Sequence, residues 1–350
     1  MSRARRVVQE MTAYTLALRT AEVKLNQNES PYDFPAELKS EVLRRAAQHP
    51  WNIYPEFESL RLRTAIGKSY GIPSDGILVG NGSNELLGVA IATFVEPGVP
   101  VIFPSPTFTL YEKLVTVAGG TPVPIEFDPA SGQLPLAELL REIGQRPNAV
   151  VIVCSPNNPT GSVLPRHGLE SLLESGALVL FDRAYGDFHS DPFPPIRENL
   201  VVFSTFSKAW GLASLRLGWV GSSAGNSREM RKVKLPYSLN AVSEETAIVA
   251  LENDAYRSAN VASIIAERSR LGAAMSAMKE IVTFPSAANF VTFRPLMDSR
   301  IVFDRLCADG LLIRDVSAYP RLGNSLRVSV GSPDQNDRFL QSLRRITGAG

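Results

Sequence analysis

Four short runs carry residue types that can act together in catalysis. In Ser204-Thr205-Phe206-Ser207-Lys208-Ala209-Trp210-Gly211, a lysine follows an apolar stretch and is flanked by hydroxyls. Partial desolvation and neighbouring cations lower a lysine pKa and free the neutral amine for Schiff-base chemistry. Taken alone, such a lysine reads as an ordinary solvated surface residue. Arg216 follows in Leu215-Arg216-Leu217-Gly218, and its planar guanidinium can neutralise a phosphate dianion bidentately.

The second run, Gly80-Asn81-Gly82-Ser83-Asn84-Glu85, can present backbone N–H groups and the Ser83 hydroxyl at a helix N-terminus, a ready phosphate site. An ordinary strand–helix turn capped by Ser83 or Asn84 reads equally well. The third, Ser155-Pro156-Asn157-Asn158-Pro159-Thr160-Gly161, is by itself a plausible turn. The fourth, Phe181-Asp182-Arg183-Ala184-Tyr185, places an aspartate at a strand end, where it often serves as a cap. Their convergence is what distinguishes them. Lysine, phosphate cradle, amide and carboxylate all fall where a strand gives way to a loop, the edge at which α/β sheets collect ligands.

Other chemistries fit less well. His49, His167 and His189 are scattered and share no paired spacing with the cysteines, so no metal site is expected. There is no G-x-x-x-x-G-K-[ST] run for a P-loop. Gly80 and Gly82 begin a dinucleotide fingerprint, but Glu85 occupies the place of its third glycine.

The elements that must position these runs follow from periodicity. Short apolar blocks at 77–79, 101–103, 150–154, 178–181, 201–204 and 217–221 lack alternation, as expected of strands buried on both faces of a mainly parallel sheet. Helix-sized segments at 85–94 and 106–118 lie between them, the latter stopped by Gly119-Gly120. After about residue 243 the grammar changes. Val261, Ile264, Ile265, Leu271, Met275 and Met278 mark one face of a long helix interrupted by Arg268. Strands are expected at 289–294, 311–314 and 325–330, with a helix ending at Gly310. The predicted organisation is α/β: an N-terminal arm over 1–45, a large domain over 46–243 and a smaller α+β domain over 244–350 that the arm joins.

Composition is that of an ordinary soluble chain. Of 350 residues, 44% are hydrophobic and 20% charged, which excludes a disordered, collagen-like or coiled-coil architecture. The 36 Lys+Arg against 35 Asp+Glu leave a net charge of +1, which argues against a dedicated nucleic-acid binder. Cys154 and Cys307 cannot form a disulfide framework. No apolar run approaches the roughly 20 residues of a spanning helix. Arg3, Arg5 and Arg6 are followed by Glu10 and a mixed stretch, not by a signal-peptide core, so a cytoplasmic protein is expected.

The set of runs resembles the fold-type I pyridoxal-phosphate (PLP) aminotransferases, class I/II, across essentially the whole chain. The resemblance is carried by S-K-x-x-G-L-x-x-L-R-x-G with N-P-T-G and D-x-A-Y, here at Ser207, Asn158 and Asp182. Lys24-Leu25-Asn26-Gln27-Asn28-Glu29-Ser30-Pro31 is similar to the N-E-x-P segment of the histidinol-phosphate aminotransferase subfamily. So are Tyr54-Pro55-Glu56, the stretch 104–111 and Leu326-Arg327-Val328-Ser329-Val330-Gly331.

The resemblance implies a large PLP-binding domain with a smaller α+β domain, and it implies roles. Lys208 would hold PLP covalently and shuttle the substrate's α-proton, and Asp182 would pair with the pyridinium nitrogen. Asn158 and Tyr185 match groups that hydrogen-bond the cofactor's phenolic oxygen. Phe108 matches an aromatic that stacks on the ring, although a core residue at a helix start is the plain alternative. Ser83, Asn84, Thr205, Ser207 and Arg216 would cradle the phosphate. Tyr54 matches a tyrosine that reaches the phosphate from the other subunit, which implies a homodimer with shared sites. Arg327 matches the arginine that clamps the α-carboxylate, and it must serve the phosphate when the donor has no carboxylate. Arg314 is a second candidate for that phosphate, and Tyr14 and Asn28 are further substrate-site candidates.

Three departures from the family pattern are visible. Arg183 stands where Glu is usual, Asn84 where Asp is usual, and Ile53 where Arg is common. Arg183 would weaken the Asp182 pair if turned inward and be neutral if turned outward. The implied reaction transfers an amino group between L-histidinol phosphate and 2-oxoglutarate, yielding glutamate, in histidine biosynthesis. The alternatives are a threonine-phosphate decarboxylase and a broad aromatic amino-acid aminotransferase of the same fold.

Overall fold

The structure is a computed structural model, and it describes residues 3–13 and 19–348. Among the described residues, thirteen strands form three sheets: β1 (Val23–Lys24), β2 (Ile77–Asn81), β3 (Pro100–Ser105), β4 (Thr121–Glu126), β5 (Val150–Cys154), β6 (Leu178–Asp182), β7 (Leu200–Thr205), β8 (Leu217–Ser222), β9 (Ile281–Thr283), β10 (Phe290–Pro295), β11 (Leu311–Leu312), β12 (Arg314–Asp315) and β13 (Leu326–Ser329). The 7-stranded sheet has the order β2-β8-β7-β6-β5-β3-β4. Its members from β7 to β4 pair in parallel, and β8 runs antiparallel to both of its neighbours.

Every residue of β5, β7 and β8 is buried, which is why these strands read as unbroken apolar blocks. β4 was not expected from periodicity. Pro122 and Pro124 interrupt it, and a strand with two residues lacking N–H donors is tolerated where it lies, at the sheet edge. The expected helix at 106–118 begins instead at Leu110, because Pro106 and its neighbours form the turn that leaves β3.

Past the sheet, the helix Ala255–Ser276 buries Ile264, Leu271 and Met275. Arg268 interrupts that face without a penalty, since its Nη1 donates to Phe188 O at 3.1 Å and Ala288 O at 3.0 Å. A second, antiparallel sheet has the order β12-β13-β10-β9. The single strand expected at 311–314 is split. Leu311–Leu312 pairs in parallel with β1, whereas Arg314–Asp315 pairs with β13, so the chain changes sheets at Ile313. Through β1 the N-terminal segment joins this part of the molecule. The helix Ala241–Glu252 runs across position 243/244. Among the described residues, no helix is long and apolar enough to cross a membrane.

Candidate active site

Cys154, Asp182 and Thr205 are the last residues of β5, β6 and β7, three consecutive strands of the large sheet. The loops that follow open into a cavity of about 530 Å3, a size suited to a cofactor and a small substrate together. Residues 26–29, β12 and β13 close it from the opposite side. Its lining carries four cations, Lys208, Arg216, Arg314 and Arg327, and two carboxylates, Glu29 and Asp182. The excess of positive charge suits an anionic ligand.

Lys208 Nζ donates to Gln27 O at 2.8 Å, so the amine bridges the sheet loop and the N-terminal segment. Burial first, then the neighbouring charge of Arg327, pushes its pKa down to about 7. An amine near that value is available both as nucleophile and as base at neutral pH.

Asp182 Oδ2 accepts from Tyr111 OH at 2.7 Å, and its Oδ1 accepts the Ala184 N–H at 2.9 Å. Burial raises its pKa, and these two donors oppose that shift. Arg183 turns outward, donating from Nη1 to Pro192 O at 2.8 Å and from Nη2 to Asp191 O at 3.0 Å. The cation that departs from the family pattern is thus engaged by a neighbouring loop.

Part of the lining forms a polar cradle. Ser83 and Asn84 open the helix Ser83–Phe94, and no side chain caps its N-terminus. Gly82, at φ +84°, leaves room for Arg216, whose Nη2 would lie 2.6 Å from a Cβ there. Gly218 brings β8 against the same turn, since a Cβ there would meet Ser83 N at 2.2 Å. Thr205 Oγ1 donates to Ser207 Oγ at 3.0 Å, and it accepts the Ser207 N–H at 3.1 Å. These hydroxyls and amides, with Arg216, form a polar cradle that suits an anion.

Tyr185 OH accepts from Asn28 Nδ2 at 2.9 Å, while Asn28 Oδ1 accepts from Ser329 Oγ at 3.2 Å. Asn28 thus lines the cavity while its side chain fixes Tyr185. Arg327 donates from Nη2 to Asn26 O at 2.9 Å and from Nη1 to Asn158 Oδ1. The acceptor end of Asn158 is committed there, and its NH2 group is the end with donors to offer. Arg314 and Arg327 stand directly opposite each other on β12 and β13. Two like charges on paired positions are unfavourable unless an anion lies between them.

Phe108 also lines the cavity. Tyr54 does not. It is 76% exposed and stacks on Tyr237, with ring centroids 4.5 Å apart. Tyr14 lies outside the described residues. Tyr111, Cys154, Asn26, Glu29 and Tyr319 line the cavity without having been singled out as site residues. Tyr111 lies in the stretch 104–111 that carries part of the resemblance, but nothing local indicates that its hydroxyl meets a carboxylate 71 positions away.

Sheet-end geometry, a depressed lysine, a buried carboxylate and an anion cradle define the class, and comparison with known families agrees. The family model for aminotransferase class I and II matches residues 20–343, and this chain belongs to that family. Within it, the histidinol-phosphate aminotransferase of Chlorobium luteolum is 36% identical over 337 residues, covering 93% of this chain and 92% of that protein. The histidinol-phosphate aminotransferase of Chromobacterium violaceum is 35% identical over 347 residues, covering 95% of each. The crystal structure of histidinol-phosphate aminotransferase from Sinorhizobium meliloti in complex with pyridoxal-5'-phosphate matches with a TM-score of 0.87. Its identity is 27%, and the match covers 99% of this chain and 98% of that chain.

Proposed function

We propose that this chain is a PLP-dependent aminotransferase that moves an amino group from L-histidinol phosphate to 2-oxoglutarate. The observation that carries the reading is the cavity whose lining combines an amine, a carboxylate, the Arg216 cradle and the Arg314–Arg327 pair. The Arg216 cradle suits the cofactor phosphate. The Arg314–Arg327 pair suits a second anion, first the donor's phosphate and then the acceptor's carboxylates. The relatives named above support the choice of donor.

When bound, PLP withdraws electrons from the amine-bearing carbon of the substrate. The rest is done by the chain. Lys208 would hold the cofactor at rest and would move the α-proton, by way of Nζ, from the substrate carbon to the cofactor carbon that keeps the amino nitrogen. Asp182 would pair with the ring nitrogen. Tyr185, steadied by Asn28, and the Asn158 amide would hydrogen-bond the phenolic oxygen, and Phe108 would pack against the ring. Arg327 orients the substrate carboxylate. In this reading the cavity lies between a large part, 46–243, and a smaller part made of 244–350 with the arm 1–45. Cys154 and Cys307, both free thiols, agree with a cytoplasmic setting.

The active unit is a homodimer in this proposal. Trp51, Ile53, Tyr54, Phe57, Leu235 and Tyr237 are exposed large hydrophobic residues, and Tyr237 contacts both Tyr54 and Phe57. A second copy covering them would bring Tyr54 to the neighbouring cradle. Tyr54→Ala is therefore expected to loosen PLP retention, and mixing it with Lys208→Ala is expected to restore some activity. Mixing without rescue would count against sharing.

Donor selectivity tests the reading as a whole. L-Histidinol, which lacks the phosphate, should react at least about 100-fold less efficiently than L-histidinol phosphate, because the charge-assisted contacts of that phosphate with Arg314 and Arg327 would be lost. Equal rates, or carbon dioxide release from threonine phosphate as the faster reaction, would move the assignment elsewhere in the family.

A further inference from the structure

Tyr111 joins two parts of the site that the roles above treat separately. Its hydroxyl donates to Asp182 Oδ2 at 2.7 Å, and its ring meets that of Phe108 edge-on, with centroids 5.7 Å apart at 88°. The side chain is fully buried, so the core sets the position of the hydroxyl before any ligand arrives. The other Asp182 oxygen accepts the Ala184 N–H. One fixed donor on each oxygen holds the carboxylate plane, and both bonds favour its ionised form. Burial acts in the opposite direction. The other titratable groups facing Asp182 are the Cys154 thiol at the end of β5 and the Tyr185 hydroxyl, both held neutral by burial.

We propose that Tyr111 is a positioning residue that acts through Asp182, holding the carboxylate charged and aimed at a cationic ring nitrogen while it steadies Phe108 beside the same ring. This rests on the PLP reading above.

The test is Tyr111→Phe, which keeps the buried ring and its contact with Phe108 and deletes only the hydroxyl. Apoprotein is titrated with PLP across a pH series, and the dissociation constant is read from cofactor absorbance. The variant should bind about tenfold more weakly at neutral pH, the scale of a hydrogen bond to a charged group. Read in Lys208→Ala protein, where the amine that titrates near 7 is gone, the acid-side loss of affinity should begin at higher pH, because a carboxylate that loses a donor takes up its proton more readily.

A cycle with Asp182→Asn separates positioning from packing. In that background, Tyr111→Phe should change the constant by no more than about twofold, because its charged acceptor is gone. Wild-type affinity and an unmoved acid limb in Tyr111→Phe would overturn the proposal. An equal loss in both backgrounds would also overturn it, by showing that the hydroxyl acts through packing. If wild-type protein takes up no PLP at any pH, the cofactor reading falls and this inference falls with it, a result distinct from either of the others.

Discussion

Lys208→Ala is expected to lower turnover by at least about 10⁴-fold, since one side chain supplies both the covalent anchor and the proton-transfer base. The geometry explains why no neighbour replaces it. The amine is fixed at Gln27 O, and the other basic groups lining the cavity are arginines, whose guanidinium groups do not serve as amine nucleophiles. In the PLP-free protein, cofactor capture should weaken as pH falls through about 7, the value set by burial and by Arg327, because protonated Nζ cannot attack the cofactor aldehyde. Undiminished turnover in the alanine variant would remove Lys208 from the mechanism.

The same shift has a consequence for stability. Between about 7 and the ordinary 10.5 of a lysine, the unfolded chain binds this proton more readily than the folded one, so stability rises with pH across that window. The cost is therefore largest below about 7 and fades above it. Differential melting of apoprotein should show Lys208→Ala gaining most over wild type on the acid side, with the gap closing as pH rises.

The second large effect is expected at Arg327. Arg327→Ala should raise the KM for 2-oxoglutarate by roughly 30- to 100-fold, the scale of a buried charge-assisted contact, with kcat changed by only about threefold. Arg327→Lys should fall between, because it keeps the charge and loses the planar fork that also reaches Asn26 and Asn158. A second readout separates a substrate clamp with this electrostatic role from mere packing. Arg327 is the charge that most lowers the Lys208 pKa, so its removal should move the acid limb of PLP capture by the apoprotein to higher pH. An unchanged KM with an unmoved limb would leave Arg327 without the role assigned to it.

The strands that carry the site were legible because β5, β6 and β7 are buried on both faces, and their last residues mark where loops must begin. Lys208, Asp182 and Asn158 could be found from that local grammar. β4 could not, because its edge position is a property of the sheet and not of its proline-broken sequence. The split at Ile313 was equally invisible, since continuous apolar residues do not state which sheet they join.

Contacts across long separations were also beyond reach. Asn28 meets Tyr185 from 157 positions away, and Arg327 meets Asn158 from 169. Family resemblance proposed these residues for one site, but their pairing comes from the packing of β1 and β13 over the sheet loops. The direction of Arg183 depended on two carbonyls of the loop at 191–192, which no local pattern specifies.

The central claim is that this cavity passes the amino group of L-histidinol phosphate to bound PLP. It is tested most directly by mixing PLP-loaded protein with that donor in a stopped-flow spectrophotometer, with no keto acid present. The account predicts that the yellow absorbance disappears in a single exponential, with one equivalent of keto product, and returns when 2-oxoglutarate is added. An unchanged spectrum with L-histidinol phosphate, from protein that carries PLP and bleaches with another amine donor, would contradict it.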